Sequence, residues 1–303
     1  MDVPMDVVVS GSSGLIGTAV VAGLSAAGHR PIRMVRRQPK PGSDEISWDP
    51  AAGRVDAESL EGIDAIISIG GAGIGDKRWT DAYKKLCFDS RVDSTALLAT
   101  TMAGMQTPPK VFVSGSAIGY YGSQGATELT EASPAGSGYL ADMTVAWENA
   151  TKPAEEVGVR TAHIRTGIVL STQGGAMSKL LPLFKLGLAG KFGSGEQYMS
   201  WISIDDEVGA ILHLLEGTTS GPVNLTAPNP VTNAEFTDVL GKVLGRPTLL
   251  PIPAFGPKLV MGGDRADALL FDSMRVLPEA LLNSGYEFAH AKLETALRSI
   301  LNK

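Results

Sequence analysis

The sequence predicts a doubly wound α/β fold, a parallel sheet with helices on both faces, with a smaller C-terminal α+β domain interleaved with it. Three observations predict this. An apolar run, Val7-Val8-Val9-Ser10, leads straight into Gly11-Ser12-Ser13-Gly14-Leu15-Ile16-Gly17, where three glycines stand three apart. Strand-like and helix-like segments alternate through the first half, as in successive βαβ units. After Leu170 the alternation loosens, and short helices are separated by Gly- and Pro-rich stretches such as Gly187–Gly195 and Pro251–Pro257.

Taken in order, the first strand is Val7–Ser10 and the first helix Thr18–Ala27. Between them Gly11 allows a tight turn, Gly14 lets a ligand approach the backbone, and Gly17 lets the helix pack closely on the sheet. The free N–H groups of a helix N-terminus attract phosphate, so this turn predicts dinucleotide binding in a Rossmann-type sheet. The next strand, Pro31–Val35, should end in an acid if the cofactor were NAD. Instead Met34-Val35 is followed by Arg36-Arg37. Arginine offers a planar fork to a phosphate, which points to the extra 2′-phosphate of NADP.

Further strands are expected at Ile63–Ile69, Lys110–Ser114 and Arg160–Thr166, with helices at Asp81–Gly104 and Tyr139–Val157. Ser203-Ile204-Asp205-Asp206 begins another helix with a capping-box-like start, and Thr232-Asn233-Ala234-Glu235 begins one with a full capping box that ends at Gly245. These elements divide the chain into a dinucleotide-binding domain, 1–170, and a substrate-side domain, 171–303, of which about 200–225 returns to the sheet.

Composition narrows the function. The 303 residues are 44% hydrophobic and 19% charged, enough to bury a large core, and the net charge of −6 argues against a nucleic-acid or membrane-surface binder. A single cysteine, Cys87, excludes an internal disulfide and suits a reducing compartment. No apolar run is long enough to span a membrane and no signal-peptide pattern opens the chain, so the expected location is cytoplasmic. The four histidines, His29, His163, His213 and His290, lack metal-ligand spacing, and no metal site is expected. Nucleophile-elbow and Walker-type patterns are absent.

Beyond the glycine turn, the chain carries Asp64-Ala65-Ile66-Ile67-Ser68-Ile69-Gly70-Gly71, Asp76-Lys77-Arg78-Trp79 and Asp89-Ser90-Arg91-Val92. Then come Ser114-Gly115-Ser116-Ala117-Ile118-Gly119-Tyr120-Tyr121-Gly122, Arg165-Thr166-Gly167-Ile168-Val169-Leu170 and Ser200-Trp201-Ile202. The tail holds Leu250-Pro251-Ile252-Pro253-Ala254-Phe255 and Arg275-Val276-Leu277-Pro278. Over nearly its whole length the chain resembles an atypical extended short-chain dehydrogenase/reductase, of the group that includes NAD-dependent epimerases/dehydratases and nucleoside-diphosphate-sugar epimerases. The tail resembles the C-terminal domain of uncharacterised function that marks this subgroup.

The resemblance implies roles by position. Gly11, Ser12, Ser13, Gly14, Leu15, Ile16 and Gly17 hold the cofactor, with Ile69, Gly70 and Gly71 approaching its adenine side and Arg165, Thr166 and Gly167 lying beside the nicotinamide. Ser116 matches the active-site serine, with Ser114 as the alternative if the register differs by two. Trp201 either walls the substrate pocket or fills the core. Tyr139 matches the catalytic tyrosine of a Tyr-x-x-x-Lys pair, but Met143 stands where the lysine belongs and the first lysine downstream is Lys152. An unassisted tyrosine has a pKa near ~10, so phenolate is scarce at neutral pH. Tyr120, Tyr121, Asp142 and Glu148 are the other nearby groups.

The implied function is an NADP-dependent oxidoreductase or epimerase that transfers hydride to or from a small polar carbonyl or alcohol, with a nucleotide sugar as one candidate substrate. The alternative is an NADPH-binding regulator or sensor with little or no catalysis that acts through a protein partner. By analogy, the resemblance offers a homodimer as one candidate state, since related enzymes often dimerise through helices corresponding to Asp81–Gly104 and Tyr139–Val157.

Overall fold

Eight strands hydrogen-bond into one sheet in the computed structural model, which describes residues 3–249 and 251–303. Leu250, the first residue of the tail motif, lies outside the described residues. The strands are β1 (Asp6–Ser10), β2 (Arg30–Val35), β3 (Glu45–Asp49), β4 (Arg54–Val55), β5 (Ala65–Ser68), β6 (Val111–Ala117), β7 (Arg160–Thr166) and β8 (Gly221–Leu225). Their spatial order is β8-β7-β6-β5-β1-β2-β3-β4, parallel throughout except for the antiparallel edge pair β3–β4. The order runs outward in both directions from β1 and β5. That reversal opens a crevice beyond their C-terminal ends, where open α/β sheets bind ligands.

The central strand explains itself. Val7, Val8 and Val9 are all fully buried, because helices cover both faces. Val7 and Val9 pack with Val20 and Leu24 of helix α1 (Leu15–Ala26), while Val8 packs with Leu98 and Met102 of helix α2 (Asp81–Ala103). Each such side chain contributes about 1.5–3 kcal/mol of burial.

Several expected boundaries move. The first helix begins at Leu15 rather than Thr18, so Leu15, Ile16 and Gly17 form its first turn. The expected helix Tyr139–Val157 is two, α3 (Tyr139–Asn149) and Lys152–Glu156. Proline at the start of the second piece accounts for the break, since it cannot donate to the preceding turn. Strand β3 was not expected. Its short Ile46–Trp48 alternation buries both side chains against the α2 face of the sheet.

After β7 the chain forms Ile168–Leu170, which pairs in parallel with Trp201–Ser203. Helix α4 (Ile204–Glu216) then lies on the β1 face with α1, and β8 extends the sheet beside β7. Ser203 caps α4 by accepting from the Asp206 amide at 3.0 Å. The fully buried Asp206 carboxylate accepts in turn from Ser203 Oγ and from the amides of Ala289 and His290, at 2.7, 2.7 and 3.0 Å, tying the C-terminal tail to α4. The capping box at Thr232 forms as expected and its helix, Asn233–Leu244, ends at Gly245 in a left-handed conformation. Trp201 is fully buried, donates to the Asn229 carbonyl and packs with Leu170 and Phe236, so it belongs to the core. Among the described residues no helix is long and apolar enough to cross a membrane.

Candidate functional site

The crevice between β1 and β5 is built by glycines in contact. Gly11 takes φ +71°, and a Cβ there would fall 2.7 Å from the Gly70 nitrogen on the turn after β5. Below these turns the Ser10 and Ser68 hydroxyls join the two strand ends at 3.1 Å. The Gly14 amide donates to the Gly11 carbonyl at 2.9 Å, closing the turn. A Cβ on Gly17 would sit 2.2 Å from the same carbonyl oxygen. The reason for Gly17 therefore lies in the turn itself, and not in helix-to-sheet packing as the spacing suggested.

Helix α1 starts with no side-chain cap and no acid in its first turn. Its free amides keep their positive end of the dipole unneutralised. Ser13 and Gly14 are exposed, Leu15 and Ile16 half-buried, and Ser12 is buried. On the other wall, α2 holds the turn after Ile69. The Arg91 guanidinium donates to the Ala72 carbonyl at 3.0 Å, and Ser90 Oγ accepts from the Ala72 amide at 3.0 Å. Gly71 faces Arg91, where a Cβ would stand 2.9 Å from Cζ. Nothing in the local pattern around 89–92 shows which turn Arg91 meets, so the sequence does not assign it this role.

At the end of β2 the two arginines separate. Arg37 makes a two-pronged pair with Glu45 of β3, at 2.6 and 2.9 Å, and this hydrogen bonding holds the Glu45 carboxyl down to about 2. Arg36 is exposed, has no ion-pair or hydrogen-bond partner among the described residues, and lines an open cleft with Ser47, Asp49 and Arg54. Only one of the two guanidinium groups is thus free.

Arg165, Thr166 and Gly167 sit in a buried polar network beyond β6. Ser116 Oγ donates to Glu148 Oε1 at 2.6 Å, and Arg165 grips both oxygens of Glu148 at 2.8 and 2.9 Å. Arg165 also donates to the Tyr121 hydroxyl at 2.9 Å, which donates to Asn224 at 2.7 Å. The Tyr120 ring centroid lies 3.5 Å from Arg165 Cζ. Burial is the largest single influence and opposes the Arg165 charge, but the hydrogen bonds and charges of Glu148 and Tyr121 together outweigh it and the pKa rises. Burial pushes the Tyr121 hydroxyl up to about 12. Thr166 donates to Glu207 at 2.8 Å, and a Cβ on Gly167 would stand 2.5 Å from the Ser200 carbonyl oxygen. Ser114 is fully buried two register positions below Ser116, opposite His163.

Tyr139 goes elsewhere. It opens α3, but its hydroxyl donates to the Lys84 backbone carbonyl on α2 at 2.7 Å, and its ring packs edge-on against Trp79. Burial, with Cys87 alongside, pushes its pKa up to about 12. Ser116 therefore bonds to Glu148 near the end of α3, whereas Tyr139, at its start, bonds to α2. Tyr139 and Trp79 instead wall a cavity of about 280 Å³ between Gly119–Gly122, the start of α3 and the segment 264–274. Lys84 and Asp264, paired at 3.1 Å, close one side of it.

Comparison with known proteins fits this geometry. The model of the NAD dependent epimerase/dehydratase family matches residues 7–226, which span the glycine turn and all eight strands but the first residue of β1. The chain belongs to this family. A second model, described as a domain of unknown function (DUF1731), matches residues 252–300. Among family relatives, the epimerase family protein Mb2239 of Mycobacterium bovis is 42% identical over 294 residues, covering 96% of each chain. The human epimerase family protein SDR39U1 is 36% identical over 302 residues, covering 98% of this chain and all of that one. The crystal structure of human SDR39U1 with NADPH superposes with a TM-score of 0.90 at 35% identity, over 98% of this chain and 99% of that one. A nucleoside-diphosphate sugar epimerase structure from Corynebacterium glutamicum, 34% identical, reaches 0.81 and covers 99% of this chain but 58% of its own.

Proposed function

We propose that this family member is an NADP(H)-dependent oxidoreductase or epimerase acting on a small polar carbonyl or alcohol. The observation that carries the reading is the glycine-built crevice of Gly11, Gly14 and Gly70, with an uncapped helix N-terminus on one side and the unpaired Arg36 at the end of β2. These residues fit a dinucleotide. The amides of Leu15 and Ile16 suit its pyrophosphate, and Arg36 suits a 2′-phosphate. The 35%-identical human relative crystallised with NADPH supports the choice of cofactor. Bound nicotinamide would supply or accept the hydride.

The chain's own part is binding, exclusion of water and handling of one proton. Ser116 already donates its hydrogen to Glu148, so its oxygen is free to accept. It takes the proton of a substrate hydroxyl and passes its own to Glu148, or returns a proton to a substrate oxygen by the reverse route. Arg165 holds Glu148 in place for this exchange. Tyr139, whose hydroxyl is committed to the Lys84 carbonyl, serves as wall.

A second reading, an NADPH-binding sensor that works through a protein partner, is favoured by Met143 standing buried where the catalytic lysine would be. Titrating the protein with NADPH and NADH while following nicotinamide fluorescence tests both readings. Preference for NADPH supports the cofactor assignment, and a carbonyl screen with the loaded protein then separates enzyme from sensor. Binding of neither cofactor refutes both.

A further inference from the structure

The cavity beside Tyr139 carries an electrostatic signature that bears on what enters it. Three carboxylates line it, Asp264, Asp267 and Asp272, against one ammonium, Lys84. Two of the acids are already matched. Asp264 pairs with Lys84 at 3.1 Å and Asp267 with Lys258 at 2.7 Å. Asp272 has no ion-pair or side-chain hydrogen-bond partner among the described residues, although it is only half-exposed. Burial and the nearby Asp267 carboxylate raise its pKa, as expected of an acid that lacks a cation.

Trp79 and Tyr139 line the same cavity, and their rings already hold one positive charge. The Lys84 ammonium lies 5.7 Å from the Trp79 ring centroid and 5.5 Å from that of Tyr139. Rings arranged in this way stabilise a cation through their negative faces. At about 280 Å³ the cavity lies just below the range of ligand pockets, roughly 300 to 1,000 Å³, and suits only a small ligand.

We propose that this cavity selects a small, positively charged ligand, an amine- or quaternary-ammonium-bearing compound held by Asp272 against Trp79 and Tyr139, and excludes nucleoside diphosphates. As the substrate of the chain, this ligand would be an ammonium-bearing carbonyl or alcohol, a deepening that rests on the function proposed above. A diphosphate in the same place would bring two negative charges against Asp264, Asp267 and Asp272, with Lys84 already engaged.

The test is calorimetric titration of the NADPH-saturated full chain with benzyltrimethylammonium, with benzoate, which is of similar shape and opposite charge, and with UDP-glucose. The cation is expected to bind about tenfold or more tightly than benzoate. Asp272→Asn should reduce that ratio to about threefold or less, and Asp238→Asn, on an exposed helix face, should keep it. Tighter binding of benzoate or UDP-glucose, an unchanged ratio in Asp272→Asn, or no binding of either small probe overturns the inference.

Adding NADPH oxidation with (4-formylbenzyl)trimethylammonium and with 4-formylbenzoate separates the two proposals. Charge-selective binding without turnover refutes the enzymatic reading and leaves the cavity assignment standing. Equal turnover of both aldehydes supports the enzyme and overturns the cavity assignment.

Discussion

Ser116 Oγ lies 2.6 Å from Glu148 Oε1, across the gap between the end of β6 and the end of α3. This contact joins the serine to the buried Arg165 pair and leaves its oxygen free to accept. The two residues should differ sharply on truncation. Glu148→Ala strands a buried guanidinium and should cost about 3–5 kcal/mol in urea unfolding. Ser116→Ala keeps the ion pair and should cost about 1 kcal/mol. Equal losses would remove Glu148 from its place as the anchor of the network.

Tyr139→Phe removes a single hydrogen bond to the Lys84 carbonyl. The expected loss of stability is about 1 kcal/mol, with NADPH turnover retained. A collapse of turnover with binding intact would return the proton-transfer role to this tyrosine.

The two arginines after β2 should separate in a cofactor titration. Arg36→Ala should weaken NADPH about tenfold while leaving NADH unchanged, because only the former carries the phosphate. Arg37→Ala breaks the pair with Glu45 and should affect both cofactors alike. The reverse pattern would place the 2′-phosphate on Arg37.

Gly17→Ala places a methyl group 2.2 Å from the Gly11 carbonyl oxygen, against backbone that has no room to yield. Loss of NADPH binding together with a lower Tm is expected. An alanine variant that binds normally would show that the turn is looser than its contacts.

Glu207 is fully buried, and burial pushes its carboxyl up to about 8 despite the hydrogen bond from Thr166. An unfolded glutamate titrates near ~4.3. Between these values the folded chain holds the extra proton, so this residue makes stability fall as pH rises from about 4.3 to 8 and then level off. Glu207→Gln should flatten that part of the profile, with little difference from the parent below pH ~4.3 and the largest gain above 8. Parallel unfolding curves for the two proteins across this range would show that Glu207 titrates normally.

Local chemistry made some features legible in sequence. The Val7–Val9 run, the three glycines and the Thr232-to-Glu235 capping box depend on residues within a few positions of each other, so their spacing carries their structure. Glu148 was visible only as one of four groups near Tyr139. Its partnership with Arg165 spans 17 residues, and that with Ser116 spans 32.

The sequence by itself determined the doubly wound sheet, the turn at its crevice and the absence of a lysine at 143, because strand and helix periodicity and glycine sterics act locally. Tertiary structure alone decided that Arg37 is tied to Glu45 and Arg36 is not, that Tyr139 turns toward α2, and that Asp272 lines one cavity with Trp79 and Tyr139 from another part of the chain. Those outcomes depend on which charges and hydroxyls the packed helices and strands bring within hydrogen-bond reach, and burial makes each such pairing exclusive.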